Sequence, residues 1–307
     1  MTEQRKGYLA ALAFASIIGF SFMFIKIALD VSTPIDLLAH RFNAAFIAGT
    51  LVLLIVKRGK IGATWKELVR LMPLAILYPT LFFFFQTLGL VYTTSSEAGL
   101  INATMPIFTI ILASLILKER SSTRQKLFFA MSVFGVMFIF FMQGMQQGGL
   151  ELSMLGVLFI LLSAFSSALY NVFARRATQS YDVFTITYLM TTLGFIVFNL
   201  MAFFQHLQIG DWSTYVTPLR EPSFIIAILF LGMLSSFGTS FLSNYALSKI
   251  EAGRMSVFGN LATLITVIAG VVFLNETLAS YHWIGGILIL VGVIGTTMSP
   301  KKRTLSK

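Results

Sequence analysis

Two basic residues, Lys26 and Arg41, lie inside long apolar stretches of this 307-residue sequence. A charge in apolar surroundings is costly unless it is paired, hydrated or placed near the edge of those surroundings. Lys26 is near the end of its stretch, so its side chain could extend to the interface towards Asp30. Arg41 lies about 10 Å along the next predicted helix. It could hold a substrate carboxylate or phosphate bidentately, or pair with Asp36 or Glu97.

Uncharged polar residues in the same apolar stretches form a second group of candidates. Each needs a hydrogen-bond partner, either on a neighbouring helix or in a wet cavity. A shared cavity would bind a polar substrate, whereas direct contacts between these side chains would only hold helices together. The candidate substrate-binding residues, besides Lys26 and Arg41, are Tyr78, Gln86, Asn102, Tyr170, Asn171, Asn244 and Asn260.

The sequence lacks the patterns of several other kinds of chemistry. Cysteine is absent, which excludes disulfides and thiolate ligands. The apolar stretches contain no His, Asp and Glu cluster with metal-ligand spacing, and the sequence contains no P-loop. We therefore expect no cofactor, no enzyme activity and no primary active transport by this chain alone.

Composition indicates the surroundings of these residues. Hydrophobic residues make up 57% of the chain and charged residues 11%, far from the roughly 25% charged that is typical of a soluble domain. In a soluble protein the net charge of +10 would favour nucleic-acid binding, but in a membrane protein such a charge more often reports orientation. We predict an all-α polytopic membrane protein with the lipid bilayer as its surroundings and no nucleic-acid partner.

Ten apolar stretches are long enough to cross about 30 Å of hydrocarbon as helices. They are residues 7–29, 34–57, 70–92, 97–117, 124–142, 152–174, 182–205, 223–247, 252–274 and 280–299. The joins after Tyr92 and after Ile250 contain few polar residues, and a single long segment is the alternative at each. The first stretch follows a short basic segment without an obvious cleavage site, so we interpret it as a retained helix.

The distribution of basic residues predicts the orientation. With the N-terminus inside, the inner segments hold 19 of the 22 Lys and Arg residues, while the outer loops hold only Arg220. Cytoplasmic segments carry such an excess. We predict a multi-pass protein of the cytoplasmic membrane with both termini cytoplasmic. The longest outer connection, about 206–222, carries Trp212 and Tyr215 and lies either at the interface or in a solvated loop.

Parts of the two halves of the chain can be laid on one another, with one shift for the first helix and another for the later helices. A shift of 157 residues places Glu119 on Glu276, and a shift of 149 places Lys26 opposite Arg175. Five helices per half is an odd number, so the second half must enter the membrane from the opposite side. Such inverted repeats place a substrate site near the midplane and suit alternating access. The two glutamates lie at helix ends, where we expect them to cap or order the chain.

The repeat defines the predicted domains. They are a first five-helix repeat at 1–145, a second at 152–299 and a basic cytoplasmic tail at 300–307. Under the repeat shift, Gln86 falls beside Asn244 and Asn102 beside Asn260, which predicts a central cavity lined from both halves. The glycines of the tenth helix favour packing within the bundle or, as the alternative, a homodimer contact.

The first hairpin, IGFSFMFIKIALDVSTPIDLLAHRFNAAF, resembles the opening of the EamA-like branch of the drug/metabolite transporter superfamily. Gly19, Lys26, Pro34 and Arg41 match the positions of that family, whereas Ile18 replaces its usual tryptophan. The segments PIFTIILASLILKER and TLITVIAGVVFLNET resemble the ends of its fourth and ninth helices. The resemblance implies a ten-helix carrier of small organic metabolites, often amino acids or their derivatives and often moved outward.

We therefore predict a secondary transporter that moves small organic metabolites, amino acids or related compounds, in the direction of export. A multidrug-type exporter is the alternative within transport, and a membrane-embedded enzyme or sensor is the alternative outside it. No acid is placed at mid-span, which favours facilitated diffusion or exchange over proton antiport. A proton could still use Glu97, Asp36 or a histidine.

Overall fold

The computed structural model describes residues 3–60, 64–117, 123–147, 150–250 and 252–298. The α-helices are α1 (Glu3–Leu29), α2 (Pro34–Ile55), α3 (Trp65–Ala75), α4 (Phe82–Tyr92), α5 (Ser95–Asn102), α6 (Met105–Leu117), α7 (Thr123–Gln147), α8 (Leu150–Ser180), α9 (Val183–Ile209), α10 (Ser213–Val216), α11 (Pro222–Leu229), α12 (Thr239–Lys249), α13 (Ala252–Phe273) and α14 (Ser280–Met298). Two π-helical segments, Ile76–Leu81 and Phe230–Gly238, join α3 to α4 and α11 to α12.

The helices have the length and surface of membrane spans. Six segments are long and apolar enough to cross a bilayer, namely Glu3–Leu29, Pro34–Ile55, Val69–Tyr92, Met154–Ser180, Val183–Ile209 and Pro222–Lys249. Shorter apolar helices cover Lys126–Ile139, Leu261–Phe273 and Ser280–Gly295. Large apolar side chains such as Leu54, Ile55 and Ile268 point outward from the bundle. An apolar exterior suits lipid, so the chain is a multi-pass membrane protein.

Both doubtful joins separate two helices, as the charge distribution predicted. α4 ends at Tyr92, and Thr94 begins α5 with a capping box, in which its hydroxyl accepts from the Glu97 amide and the Glu97 carboxylate accepts from the Thr94 amide. This box satisfies two amides that a helix start leaves without partners. α12 ends at an extended Ile250, and α13 begins at Ala252.

Prolines act differently in the third and fourth predicted spans. Tyr78 leaves the helical region (φ −142°, ψ 122°) just before Pro79, so the third span bends at its middle. The fourth span, predicted as one helix over 97–117, is instead broken after Asn102. Pro106 lies in the first turn of the following helix, where its missing amide hydrogen is no loss. Pro106 therefore helps to begin a helix and does not kink a continuous one.

Helices from the first half of the chain pack directly on helices from the second. α1 lies against α12 and α13, α2 against α9, and α4 against α8. The last helix, α14, lies along α7 through glycines, as the packing interpretation predicted. A side chain at Gly285 would collide with Ile139 and lie 2.9 Å from the Gly135 carbonyl oxygen. Close backbone contact of this kind is typical of small-residue interfaces in membranes.

Gly285→Ala is expected to lower stability by about 1–3 kcal/mol, because the added methyl group has no space between two rigid helices. The matched control is Gly286→Ala, whose methyl group would meet only the movable end of Leu100, at 3.1 Å. Thermal unfolding in detergent, followed by tryptophan fluorescence, compares the two. Equal melting temperatures for both variants would contradict this packing.

Candidate functional site

All three histidines of the chain lie at one end of the bundle, which we call the histidine face. His206, near the end of α9, is fully buried beside an equally buried Asp36, with Nε2 2.7 Å from Oδ1. Its other nitrogen, Nδ1, lies 2.7 Å from the Asp211 carbonyl oxygen. Both nitrogens face acceptors, so both must donate, and the ring is an imidazolium paired with the carboxylate.

His282 on α14 makes the second pair of the histidine face. Its Nε2 lies 2.9 Å from Glu97 Oε1, and its Nδ1 accepts a hydrogen bond from the Ala279 amide. The ring thus bridges the Glu97 carboxylate and the backbone before α14. Both histidine pairs join a carboxylate of the first half to a histidine of the second half. The proton carriers that the sequence pointed to, Asp36, Glu97 and histidine, thus contact each other in two buried pairs.

The outer connection covers the histidine face. His40 stacks on Tyr215, with ring centroids 4.1 Å apart, and its Nε2 contacts the Tyr215 carbonyl. Trp212 lies against His206. The Ser213 amide and hydroxyl donate to Asp211, which lowers the pKa of that carboxyl. The connection is thus fixed to the ends of α2 and α9.

Glu276 caps the start of α5 on the same face. Its carboxylate accepts hydrogen bonds from the Ser95 amide, at 2.7 Å, and the Ser96 amide, at 2.9 Å, and also from the Ser96 hydroxyl. A carboxylate satisfies the free amides of a helix start and interacts favourably with the helix dipole. The predicted capping role is confirmed for Glu276, whereas Glu119 lies outside the described residues.

Glu276→Gln is expected to lower stability by about 1–2 kcal/mol, because neutral hydrogen bonds replace charge-assisted ones at the start of α5. Glu221→Gln is the matched control, since Glu221 precedes α11 without a side-chain capping bond. Urea or thermal unfolding of the purified variants measures the difference. A Glu276→Gln protein as stable as Glu221→Gln would show that the cap contributes nothing.

The opposite end of the bundle, which we call the lysine face, is defined by the ion pairs of Lys57 and Lys249. These pairs are more exposed to solvent than the pairs of the histidine face. Lys57 at the end of α2 pairs with Asp182 at the start of α9, at 3.2 Å, with side chains 38% and 46% exposed. Lys249 pairs with Glu3 at 2.6 Å, also partly in solvent. Exposed pairs of this kind contribute little to stability. The lysine face is therefore held more weakly than the histidine face.

One half-buried cation in each half ties helix ends together. Lys26 donates to the carbonyl oxygens of Leu90 and Thr93 at the end of α4, at 2.9 and 3.0 Å. Arg175 on α8 donates to the carbonyl oxygen of Leu247 at the end of α12. The prediction that Lys26 snorkels towards Asp30 is wrong, because its ammonium group instead binds carbonyls that a helix end leaves free.

Arg41 lies fully buried at the centre of the bundle. Its Nε donates to Ser236 Oγ at 2.7 Å, and its Nη2 to Ser235 Oγ at 3.0 Å. The guanidinium carbon lies 3.8 Å from the centre of the Phe83 ring, a cation–π contact. Both serines occupy the middle of the Pro222–Lys249 segment, in its π-helical part. Internal pairing with Asp36 or Glu97, the alternative left by the sequence, is excluded, since histidines hold both acids.

A second polar group adjoins Arg41 through aromatic rings. Tyr78 stacks on Tyr170 with centroids 5.0 Å apart, and the Tyr170 hydroxyl donates to Asn244 Oδ1. Asn244 in turn donates to Thr187 Oγ1 at 3.0 Å. A small enclosed cavity, here called the Tyr78 cavity, is lined by Phe14, Tyr78, Met105, Ser167, Tyr170, Asn171, Ser243 and Met255.

The structure brings some predicted site residues together and leaves others apart. Tyr78, Tyr170 and Asn171 line the cavity, and Asn244 bonds to one of its walls. Gln86 and Asn102 do not line it, contrary to the predicted cavity between matching amides. The Asn260 side chain lies outside the described part of the chain.

Several partners could not be found by sequence reasoning. Ser235 and Ser236 look like small packing residues in the sequence, and only the structure shows that their hydroxyls accept hydrogen bonds from Arg41. Thr187 carries no signal that separates it from other threonines of α9. A search for His and acidic residues at helix ends could have found His206 and His282, because Asp36 and Glu97 lie in first turns.

Comparisons with known proteins agree with this architecture. The model of the EamA-like transporter family matches residues 5–141 and 154–298. The "Uncharacterized transporter YcxC" of Bacillus subtilis (strain 168) is 49% identical, over 98% of this chain and 96% of its own length. The human "Solute carrier family 35 member G1" is 25% identical, over 77% of this chain and 60% of its own length.

The fold also matches a solved structure. A chain described only as "Crystal structure of protein" superposes with a TM-score of 0.60 at 18% identity, and the match covers 96% of each chain. The resemblance of the first hairpin is confirmed by the family match over both halves. The chain belongs to the EamA-like transporter family, within the drug/metabolite transporter superfamily, and is a membrane transporter.

Proposed function

We propose that the protein is a secondary transporter that moves small organic metabolites across the cytoplasmic membrane by alternating access. The proposal includes ten membrane spans in two inverted five-helix repeats, with both termini in the cytoplasm. Family membership supports transport as such. The mechanism rests on a relation between the contacts at the two faces of the bundle.

A shift of 149 residues relates α2 to α9, so the contacts at the two ends of this helix pair can be compared position by position. The shift places Thr33 on Asp182, Asp36 on Thr185 and Lys57 on His206. On the histidine face, Thr33 and Asp36 cap α2, and Asp36 binds His206. On the lysine face, Asp182 and Thr185 cap α9, and Asp182 binds Lys57.

An acid–base contact thus occurs at each end of this helix pair, with bases at equivalent positions and acids three positions apart in the repeat, Asp182 at the N-cap of α9 and Asp36 in the first turn of α2. In an inverted repeat, equivalent residues lie on opposite sides of the membrane. Lys26 and Arg175, which the same shift relates, both bind carbonyl oxygens at a helix end and so fit this arrangement. The two matches to one family model, one in each half, support it further.

A carrier that alternates must break the contacts of one face while it keeps those of the other. In this structure the histidine face is closed by buried pairs, and the lysine face by half-exposed ones. This difference corresponds to a state closed towards the outside. The Tyr78 cavity and Arg41 lie between the two faces, where a substrate site of such a carrier is expected.

Comparative metabolomics tests the function. Medium and cytoplasm of cells with and without the protein are compared, and export predicts metabolites that accumulate in the cytoplasm of cells that lack it. Import would produce the reverse distribution and would overturn only the direction. Identical metabolite profiles, with the protein present in the membrane of the complemented cells, would overturn the transport proposal itself.

A further inference from the structure

Arg41 has a donor without a partner. Its Nε and Nη2 bind serine hydroxyls, but Nη1 is buried without a hydrogen-bond partner among the described residues. Serine hydroxyls carry no charge, so they orient the guanidinium without neutralising it. Unpaired buried cations are rare in proteins, because loss of hydration strongly disfavours them.

The described acids near the faces do not neutralise Arg41. Asp36 is paired with His206, and Glu97 with His282. Tyr78 is the charged or titratable neighbour that acts on Arg41 in the described part of the bundle. The positive charge at the centre of the bundle therefore has no resident counter-charge there.

Two further polar groups without partners surround the same ring, Phe83. Tyr78 stacks beside Phe83, with centroids 5.2 Å apart, and its hydroxyl lies near the side chains of Thr239 and Ser240 without hydrogen-bond geometry to described residues. Gln86 follows Phe83 by three positions on α4 and so lies on the same helix face. Both polar atoms of its buried amide also lack described partners.

We propose that Arg41 is the binding site for a single anionic group of the substrate, a carboxylate on a small organic molecule. Nη1 donates to the carboxylate, and the Tyr78 hydroxyl supplies a second donor. Ser235 and Ser236 hold the guanidinium in place, and the Gln86 amide contacts a further polar group of the substrate. Tyr78 also lines the Tyr78 cavity, whose volume of about 10 Å³ must widen during transport to hold the rest of the molecule.

The charge balance favours a carboxylate over a phosphate ester. A phosphate ester carries close to two negative charges at neutral pH, whereas the described centre of the bundle holds one cation. A carboxylate neutralises Arg41 with one charge and leaves no excess. The bound state would therefore be electrically neutral at the midplane, which lowers the barrier to movement between the two faces.

The proposal rests on the proposed transport function, and the metabolomic comparison tests both separately. Cells lacking the protein receive the wild type, Arg41→Gln, Arg41→Lys or Arg220→Gln. We expect the metabolites that depend on the wild type to carry a carboxylate, and Arg41→Gln to reduce their redistribution at least tenfold. Arg41→Lys keeps the positive charge but lacks the several N–H donors of the guanidinium, so we expect it to retain part of the redistribution. Arg220→Gln, in the exposed outer connection, behaves like the wild type.

Three results would overturn the anion site. The first is redistribution of metabolites that carry neither a carboxylate nor a phosphate, and the second is redistribution of phosphate esters without carboxylates. The third is undiminished transport by Arg41→Gln. In each of these cases the transport function itself stands. Unchanged profiles for the wild type would instead overturn the function, and the anion site with it.

Thermal unfolding of the purified variants separates binding from a structural role. Since Arg41 is an unpaired buried charge, Arg41→Gln is expected to melt at the same temperature as the wild type or higher, while transport is lost. If Arg41 only held helices together, Arg41→Gln would lower the melting temperature, and the protein that stays folded would still transport. A large decrease in melting temperature, with transport falling in proportion to the folded protein, would overturn the proposal.

Discussion

Asp36→Asn is expected to shift the protein about 100-fold towards a conformation open on the histidine face. Asn preserves the size of the side chain and one acceptor for the helix cap, but it leaves the buried His206 imidazolium without its counter-charge. Removal of one partner from a buried pair costs about 3–5 kcal/mol. Because Asp36 and His206 come from different halves, opening of this face relieves that cost by exposing His206 to water. About 3 kcal/mol corresponds to a population change of about 100-fold.

The absence of native cysteine makes this shift measurable. A single cysteine in place of Ser243, which lines the Tyr78 cavity, is labelled with a membrane-impermeant maleimide in oriented vesicles. In Asp36→Asn, labelling from the histidine face becomes much faster than in the parent.

Asp182→Asn is the matched control, because Asp182 pairs with Lys57, the position that the shift of 149 residues relates to His206. Its partner Lys57 is already half exposed, so the loss is expected to be at most about 1 kcal/mol and the change in labelling less than about tenfold. Equal labelling rates in Asp36→Asn and the parent would show that the buried pair does not hold this face closed.

The features that could be predicted from the sequence depend on local rules. Spans follow from the length of apolar runs, and the break after Tyr92 follows from the charge distribution and from the capping residues Thr94 and Glu97. The cap formed by Glu276 could be predicted because a carboxylate at a helix end has few other roles. The family could be predicted from Gly19, Lys26, Pro34 and Arg41, because their spacing in the first hairpin does not depend on tertiary contacts.

The features that could not be predicted depend on partners distant in the chain. Asp36 and His206 are 170 positions apart, so no spacing rule joins them. The sequence could not decide whether Arg41 binds substrate or pairs with an acid. The answer depends on whether Asp36 and Glu97 already have distant partners.

The repeat shift, which places Gln86 beside Asn244, predicted that Gln86 lines the cavity. That prediction was wrong, because the third span bends at Tyr78 and Tyr78 lines the cavity instead.

Lys26→Met is expected to lower stability by about 3 kcal/mol. The substitution keeps an unbranched side chain of similar length but removes two charge-assisted hydrogen bonds to the carbonyls of Leu90 and Thr93. Each such bond contributes about 1.5 kcal/mol at the low end of the usual range. The carbonyls at the end of α4 would then be buried without partners, which adds to the loss. Thermal and denaturant unfolding of the purified protein measure the effect.

The exchange variants Lys26→Arg and Arg175→Lys test whether the two contacts are equivalent positions of one repeat. Both cations donate to the carbonyl oxygen at the same place in the repeat, since a shift of 157 residues places Leu90 on Leu247. If the positions are equivalent, each side chain can replace the other, and both exchange variants keep most of the stability that Lys26→Met loses. If Lys26→Arg is as unstable as Lys26→Met, the likeness of the two contacts is coincidental, and the inverted repeat loses one of its structural supports. If both exchanges are tolerated, a cation at the end of the first helix of each half is a requirement of the repeat itself, independent of any substrate.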